Sequence, residues 1–146
     1  IGLLFAFVGI AAAAIQGLLI GWLNKAFGTR TLYISGIFIM AFGLAALPFA
    51  PSNMFYQVSA LALSFIALGT ALVTPITPTL LSKNAMEDEQ GRIMGLSQSI
   101  GSLARIIGPG IGGLLFGIGY FYPNIIAGIL LIFTGMVAVK VVFKVQ

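Results

Sequence analysis

Long runs of apolar residues that contain no charged side chain are the feature that most limits how this chain can fold. Residues 2–23 and residues 32–50 are both free of charge. A helix needs about 20 mainly apolar residues to cross the hydrocarbon core of a bilayer. In lipid every backbone polar group needs a partner within the protein, and a helix supplies one along such a run. The sequence therefore predicts an all-α integral membrane protein.

Composition excludes the other common classes of protein. Charged residues make up 7% of the 146 residues, against about 25% in an average soluble domain. A soluble surface needs such charge to stay dispersed, and a disordered chain combines high charge with low hydrophobicity. No segment alternates apolar and polar residues over the roughly ten positions that a membrane strand requires. Helices crossing a membrane are what remains.

The apolar runs divide into five predicted transmembrane helices. These spans cover residues 2–23, 32–50, 55–81, 93–117 and 124–143. Six of the seven basic residues lie after spans one and three or at the end of the chain, and the other two connections contain none. These six are Lys25, Arg30, Lys83, Arg92, Lys140 and Lys144. Because cytoplasmic loops carry the excess of Lys and Arg, the C-terminus is predicted to be cytoplasmic and span one to start outside.

The residue inventory argues against catalysis. The chain has no Cys and no His, so it lacks a thiolate nucleophile, the commonest general base and the commonest metal ligand. The acidic residues Glu87, Asp88 and Glu89 form one run before span four. Negative charge at this place interacts favourably with the dipole of the helix N-terminus. The basic residues are scattered singly and form no patch for nucleic acid. We expect no enzyme, no metal, no cofactor and no nucleic-acid partner.

Span four combines glycines with the one charge at membrane depth. At 100° per residue, Gly101, Arg105, Gly108 and Gly112 share a face of the helix. Small residues let membrane helices approach closely, so this face is predicted to pack on protein. Pro109 removes the hydrogen bond to the carbonyl of Arg105. Two interpretations stay open: the side chain snorkels or pins a neighbouring helix, or it lines a substrate cavity or gate.

Other polar residues at membrane depth are also candidates to line a cavity or gate. The candidates are Arg105, Gln16, Thr70, Thr74, Thr77 and Gln98. For Gln16 the alternative, a hydrogen bond between helices, is favoured over a contact with the cavity.

Two prolines interrupt the hydrogen bonding of span three. Pro75 and Pro78 release the carbonyls of Ala71 and Thr74, which threonine hydroxyls or water can satisfy. The span is either broken at a functional site or merely bent around its neighbours. Spans two and five are apolar nearly all round, which predicts peripheral helices that face lipid.

The connection after span one carries a motif. Residues 21–30 read G-x-L-x-K-x-F-G-x-R, which predicts a tight cytoplasmic turn in which Gly28 adopts a positive φ. On residue chemistry alone the basic residues can be simple topology anchors. The motif also resembles the degenerate second copy of the cytoplasmic signature of the major facilitator superfamily. Gly21, Leu23, Gly28 and Arg30 match it, and Lys25 replaces the acidic residue, so no gating role is carried over to Lys25.

A second motif strengthens the resemblance. Residues 90–113 read Q-G-R-x-x-G-x-x-Q-S-x-x-S-x-A-R-x-x-G-P-x-x-G-G, which is similar to helix eleven of tetracycline-resistance-like drug efflux proteins. The residues predicted to pack or kink helices are Gly101, Gly108, Pro109, Gly112, Gly113, Pro75 and Pro78. The resemblance makes residues 1–146 a partial C-terminal bundle, helices eight to twelve of a twelve-helix fold. The chain begins inside an apolar run, which indicates a fragment.

The resemblance implies a function as well as a fold. It implies a secondary transporter that works by alternating access in the plasma or inner membrane and exports a small organic compound, as multidrug or tetracycline antiporters do. Its implied partners are the lipid bilayer, the missing N-terminal helices and a small-molecule substrate, with protons bound by the missing half because this chain has no acid at membrane depth. The alternative is a small helical membrane scaffold or partner-binding subunit without transport activity.

Overall fold

Five helices make up most of the structure, which is a computed structural model that describes residue 10 and residues 20–144. The helices are α1 (Ile20–Phe27), α2 (Thr29–Ala46), α3 (Phe55–Asn84), α4 (Gln90–Ile118) and α5 (Tyr122–Lys144). Two 3-10 turns, Leu47–Phe49 and Ser52–Met54, connect α2 to α3. No strand occurs in the described residues. The prediction of an all-α membrane fold is confirmed.

Four segments are long and apolar enough to cross a membrane, and they correspond to predicted spans two to five. Their bounds are Thr29–Phe49, Ser52–Asn84, Gln90–Ile118 and Tyr122–Val141. Most of the first predicted span, including Gln16, lies outside the described residues. The last residues of that span, with the first part of the loop motif, form α1.

The connection between α1 and α2 is a corner of one residue. Gly28 has φ 80° and ψ 148° and separates the two helices alone. Its N–H donates to the Asn24 carbonyl at 3.0 Å, and its own carbonyl accepts from the N–H of Leu32 at 3.2 Å. The predicted positive φ is confirmed, because only glycine adopts this conformation without a steric cost. Both helices continue up to the glycine, so the turn within residues 21–30 is one residue long.

The prolines lie inside uninterrupted helices. Both α3, which contains Pro75 and Pro78, and α4, which contains Pro109, are continuous, so the interpretation of span three as a broken helix is wrong. The bend predicted at these prolines stays a prediction. In the described residues the nearby hydroxyls do not bond the freed carbonyls as expected: Thr77 donates to the Val73 carbonyl at 2.8 Å and Thr79 to that of Pro75 at 3.2 Å.

Helix α2 packs tightly against α3 through glycines on both helices. A Cβ added to Gly69 would lie 2.5 Å from the carbonyl oxygen of Gly36 and 2.7 Å from the Cβ of Met40. A Cβ on Gly43 would lie 2.7 Å from the carbonyl oxygen of Ala62. We call Gly36, Gly43 and Gly69 the glycine seam. Backbone meets backbone along it, as small residues allow in membranes.

The expectation that span two is a peripheral helix that faces lipid stays a prediction, since Phe38 and Phe42 of α2 are exposed while other parts of the helix are covered. Helix α2 lies between α3 and α5 and contacts both extensively. Gly128 and Gly135 of α5 approach α2, where a Cβ on Gly135 would lie 3.0 Å from the Phe38 ring. An apolar helix pattern does not distinguish a face that meets lipid from one that meets another apolar helix, because both environments favour the same residues.

Helix α4 is the least covered span. None of the buried residues belongs to it. Its half-buried residues lie mostly near its two connections, as Gln90, Ile93 and Leu115 do. The middle of α4 therefore contacts little else in the part of the chain that the structure describes.

Candidate functional site

The predicted glycine face of α4 is open. A Cβ added to Gly108, Gly112 or Gly113 would meet nothing within 4 Å. One added to Gly101 would meet the Nη2 atom of Arg105 at 3.7 Å. Protein packing on this face stays a prediction, because no described residue covers these three glycines.

Arg105 lies near the middle of α4. It follows Gln90 by 15 residues and precedes Ile118 by 13 in a helix of 29, so it is about 22 Å from one end and about 20 Å from the other at 1.5 Å per residue. The hydrocarbon core is about 30 Å thick. Arg105 is therefore far from both membrane surfaces, which disfavours the snorkelling interpretation.

The exposed charge of Arg105 needs a polar environment. Its side chain is exposed, and the acidic residues of this sequence lie in the run 87–89 before the helix. An arginine at the centre of a bilayer costs about 2.5–3.5 kcal/mol on insertion scales. Water or protein beyond the described residues must surround this side chain.

Helix α3 carries polar residues at the same depth. Thr70 precedes Asn84, the end of α3, by 14 residues, which places it about 21 Å from that end. A connection of five residues, 85–89, is typical of two helices that run in opposite directions, so we expect Thr70 to lie near the level of Arg105. Thr74 and Gln98 lie nearer the connection, and all four side chains are exposed. The Thr70 hydroxyl donates to the Ile66 carbonyl at 2.7 Å and lies 3.4 Å from the Met40 sulfur.

Thr77 belongs to a cavity at the end of the helices. The cavity has a volume of about 470 Å³. Residues of α2, α3, α4 and α5 line it: Arg30, Tyr33, Thr77, Leu80, Leu81, Asn84, Ile93 and Val141. The structure thus unites Arg30, predicted as part of the loop motif, with Thr77, predicted as a cavity residue.

Sequence reasoning missed two polar residues of this cavity. Tyr33 follows Arg30 by three residues, and Asn84 follows Thr77 by seven. Both spacings place the pair on one face of a helix. That spacing was available in the sequence, although which helices meet there was not.

Aromatic residues gather at the opposite end of the helices. The rings of Tyr120 and Phe121 lie 4.9 Å apart, as do those of Phe121 and Tyr122. Phe55 and Tyr56 form a similar pair at 5.9 Å. Aromatic residues are enriched at membrane–water interfaces. The two uncharged connections, before α3 and before α5, therefore resemble segments at one membrane surface.

Four helices long and apolar enough to cross a membrane define a helical integral membrane protein. The family model described as Major Facilitator Superfamily matches residues 1–145, so the chain belongs to this superfamily of membrane transporters.

Curated relatives of this chain come from animals and bacteria. Solute carrier family 22 member 18 of Rattus norvegicus is 32% identical over 118 residues, which cover 79% of this chain and 27% of that protein. Multidrug resistance protein 2 of Bacillus subtilis (strain 168) is 32% identical over 124 residues, 84% of this chain and 30% of that protein. The chain thus spans less than a third of each of these two relatives. No solved structure matches it at a significant level.

Proposed function

We propose that this chain forms helices eight to twelve of a secondary transporter that exports a small organic compound by alternating access. The observation that carries the proposal is Arg105, a cation at mid-membrane on an open face of α4, which we expect near the level of the exposed Thr70 of α3. The multidrug resistance relative supports export of a drug-like compound. The placement as a C-terminal half, within the tetracycline-resistance-like branch, rests on the motif of residues 90–113.

The exposure of these polar residues is the physical argument for a second helical bundle that covers them. Without other protein, the guanidinium of Arg105 would face lipid at a cost of several kcal/mol. Transporters place substrate sites near the midplane, where two repeats meet. A second bundle facing α3 and α4 would enclose Arg105, Thr70, Thr74 and Gln98 in a central cavity. A proton-coupled antiport cycle would draw its carboxylate from that bundle.

The role of Arg105 is tested by substitution in the full-length protein. Lysine keeps the charge but loses the planar fork of five donors. If Arg105 lines a cavity or gate, Arg105→Lys leaves the melting temperature nearly unchanged and lowers transport or substrate affinity about tenfold or more. If it pins helices, melting temperature and transport fall together. Arg92→Lys, at an exposed position on the same helix, is the matched control and should change neither quantity.

One result would exclude a role for Arg105 altogether. Arg105→Ala removes the charge and every donor, so either role predicts loss of function. Wild-type transport and melting temperature in Arg105→Ala would contradict the assignment of a site to this helix.

The half-transporter proposal is tested with the chain by itself. The 146 residues expressed alone should insert into membranes, self-associate through the open face of α4 and show no transport. Substrate flux by the reconstituted 146-residue chain would overturn the proposal and favour a small transporter made of several copies. A binding partner but no flux in the full-length protein would instead favour the scaffold alternative.

Orientation is a separate part of the proposal, with the C-terminus in the cytoplasm of a plasma or inner membrane. The sequence has no Cys, so single cysteines can be labelled without background. Ser52→Cys should react with an impermeant maleimide added outside intact cells, and Asn84→Cys only after permeabilisation. The reverse pattern would invert the orientation.

A further inference from the structure

The first residue of α4 is hydrogen-bonded back to the end of α3. The side-chain amide of Gln90 donates from Nε2 to the carbonyl oxygen of Ser82 at 3.4 Å, and Gln90 is half-buried. The N–H of Ala85 donates to the same carbonyl at 3.4 Å. A helix leaves its last four carbonyls without intrahelical partners, and α3 ends at Asn84. Gln90 therefore supplies a partner for one of these carbonyls from the next helix.

This hydrogen bond lies at the end of α4 that is partly covered. The half-buried residues in the first part of the helix are Gln90, Ile93, Met94, Ser97 and Gly101, and every residue in 102–111 is exposed. Positions spaced i, i+3, i+4, i+7 and i+11 share one face of a helix. Helix α4 is thus seated on its neighbours over about three turns and is uncovered beyond them.

Little else fixes the direction of α4 in the part of the chain that the structure describes. No other side chain in residues 20–144 donates a hydrogen bond between α3 and α4. Arg105 follows Gln90 by 15 residues, which is about 22 Å along the helix. A change of about 10° in the direction of α4 at Gln90 would move Arg105 by about 4 Å. The hydrogen bond at the connection therefore influences where Arg105 lies relative to α3.

We propose that Gln90 is a positioning residue, which holds α4 against α3 and so sets the place of Arg105 relative to Thr70. The amide acts as a hydrogen-bond donor, because its acceptor is a backbone carbonyl. An ionised glutamate has the same shape and a methionine a similar length, but neither has a donor, whereas a lysine keeps one. The positioning of α4 is a property of the fold, and its importance for transport rests on the function proposed for Arg105.

The first test measures the position of α4 in the full-length protein. Spin labels on Leu61→Cys of α3 and Leu103→Cys of α4, with any other cysteine replaced, report the distance between two exposed positions. Loss of one hydrogen bond shifts the balance between seated and displaced arrangements by about three- to tenfold. Gln90→Met and Gln90→Glu should therefore broaden the distance distribution, and Gln90→Lys should leave it close to that of the wild type.

Two controls separate the amide of Gln90 from its surroundings. Ser82→Ala removes a hydroxyl but keeps the backbone carbonyl that accepts the hydrogen bond. Gln57→Met makes the same change in the first turn of α3, where the side chain is exposed. Neither should alter the distance distribution. A wild-type distribution in both Gln90→Met and Gln90→Glu, or equal broadening in Gln57→Met, would overturn the proposal.

The second test measures transport by the same variants. If only a fraction of the molecules holds α4 in the competent position, the apparent affinity falls by that fraction, and saturating substrate restores the rate. Gln90→Met and Gln90→Glu should thus raise KM about three- to tenfold and leave kcat within about twofold of the wild type. A lower kcat at unchanged KM, with a wild-type distance distribution, would show a merely structural role and overturn the proposal.

The two tests also separate this proposal from the function proposed for Arg105. A broadened distance distribution with unchanged KM would support the positioning of α4 by Gln90 and would count against Arg105 as part of the substrate site. An unchanged distance distribution would overturn the role of Gln90 whatever the effect of Arg105→Lys on transport.

Discussion

Glycines occur both in the α2–α3 pair and in α4, but those of the pair contact a neighbouring helix and those of α4 do not. In the glycine seam a Cβ on Gly69 would lie 2.5 Å from a backbone oxygen, whereas on Gly108 of α4 it would meet nothing within 4 Å. The same residue type thus marks a completed contact in one region and an open face in the other. Glycine content shows that a membrane helix can be approached closely, but not whether its partner lies in the same segment of chain.

The largest expected effect on stability comes from adding a methyl group within the glycine seam. Gly69→Ala should destabilise the full-length protein by about 1–2 kcal/mol, because overpacking costs about 1–3 kcal/mol and alanine returns up to about 1 kcal/mol of helix propensity. The neighbours of the added methyl include backbone atoms of Gly36 and Met40, which cannot move alone. Thermal unfolding in detergent measures this. Gly95→Ala on α4, where a Cβ meets nothing within 4 Å, is the control and should not destabilise.

A smaller effect is expected from the aromatic contact beside the seam. Phe42 of α2 and Phe65 of α3 pack edge to face with ring centroids 5.4 Å apart. A double-mutant cycle with Phe42→Leu and Phe65→Leu should give a coupling energy of about 0.5–1.5 kcal/mol. Phe116→Leu on α4, where the residue is 64% exposed, should show no coupling to Phe65→Leu. A coupling near zero for the first pair would show that the two helices are less closely joined than the seam indicates.

The effect of Gly108→Ala on stability should have opposite signs in the 146-residue chain and in the full-length protein. In the 146-residue chain alone it should be neutral or stabilise by up to about 1 kcal/mol, since the added Cβ has open space and improves helix propensity. In the full-length protein it should destabilise by a similar amount, because a second bundle would pack on that face. Equal effects in both contexts would show that the face meets lipid or water in the complete protein.

The smallest effects concern hydroxyls that bond within their own helix. Ser64 donates to the Ala60 carbonyl at 2.8 Å in α3, and Ser99 donates to the Gly95 carbonyl at 2.9 Å in α4. Such bonds add little to stability, so Ser64→Ala and Ser99→Ala should each change it by less than about 0.5 kcal/mol. A clearly larger loss for Ser99→Ala would reveal a second partner for this hydroxyl and would sharpen the contrast between the two regions.

The sequence predicted which segments form helices better than it predicted which helices contact one another. The length of the uncharged apolar runs and the placement of Lys and Arg were enough to predict the all-α class and spans two to five. The conformational freedom of glycine was enough to predict the positive φ of Gly28. Which helices α2 contacts could not be predicted, because lipid and an apolar helix favour the same side chains. Tyr33 and Asn84 were missed for a related reason: each has a regular spacing on its own helix, but the cavity exists only where four helices end together.

The glycine seam also limits how this bundle can move. Packed helices slide past one another by small rearrangements of the side chains between them. Between α2 and α3 the contacts at Gly36, Gly43 and Gly69 involve backbone atoms, so few rotamers are available to absorb a shift. The two helices should travel as one rigid body in any transport cycle. We expect any displacement within this segment to fall on α4, which has no buried residue, and not between α2 and α3.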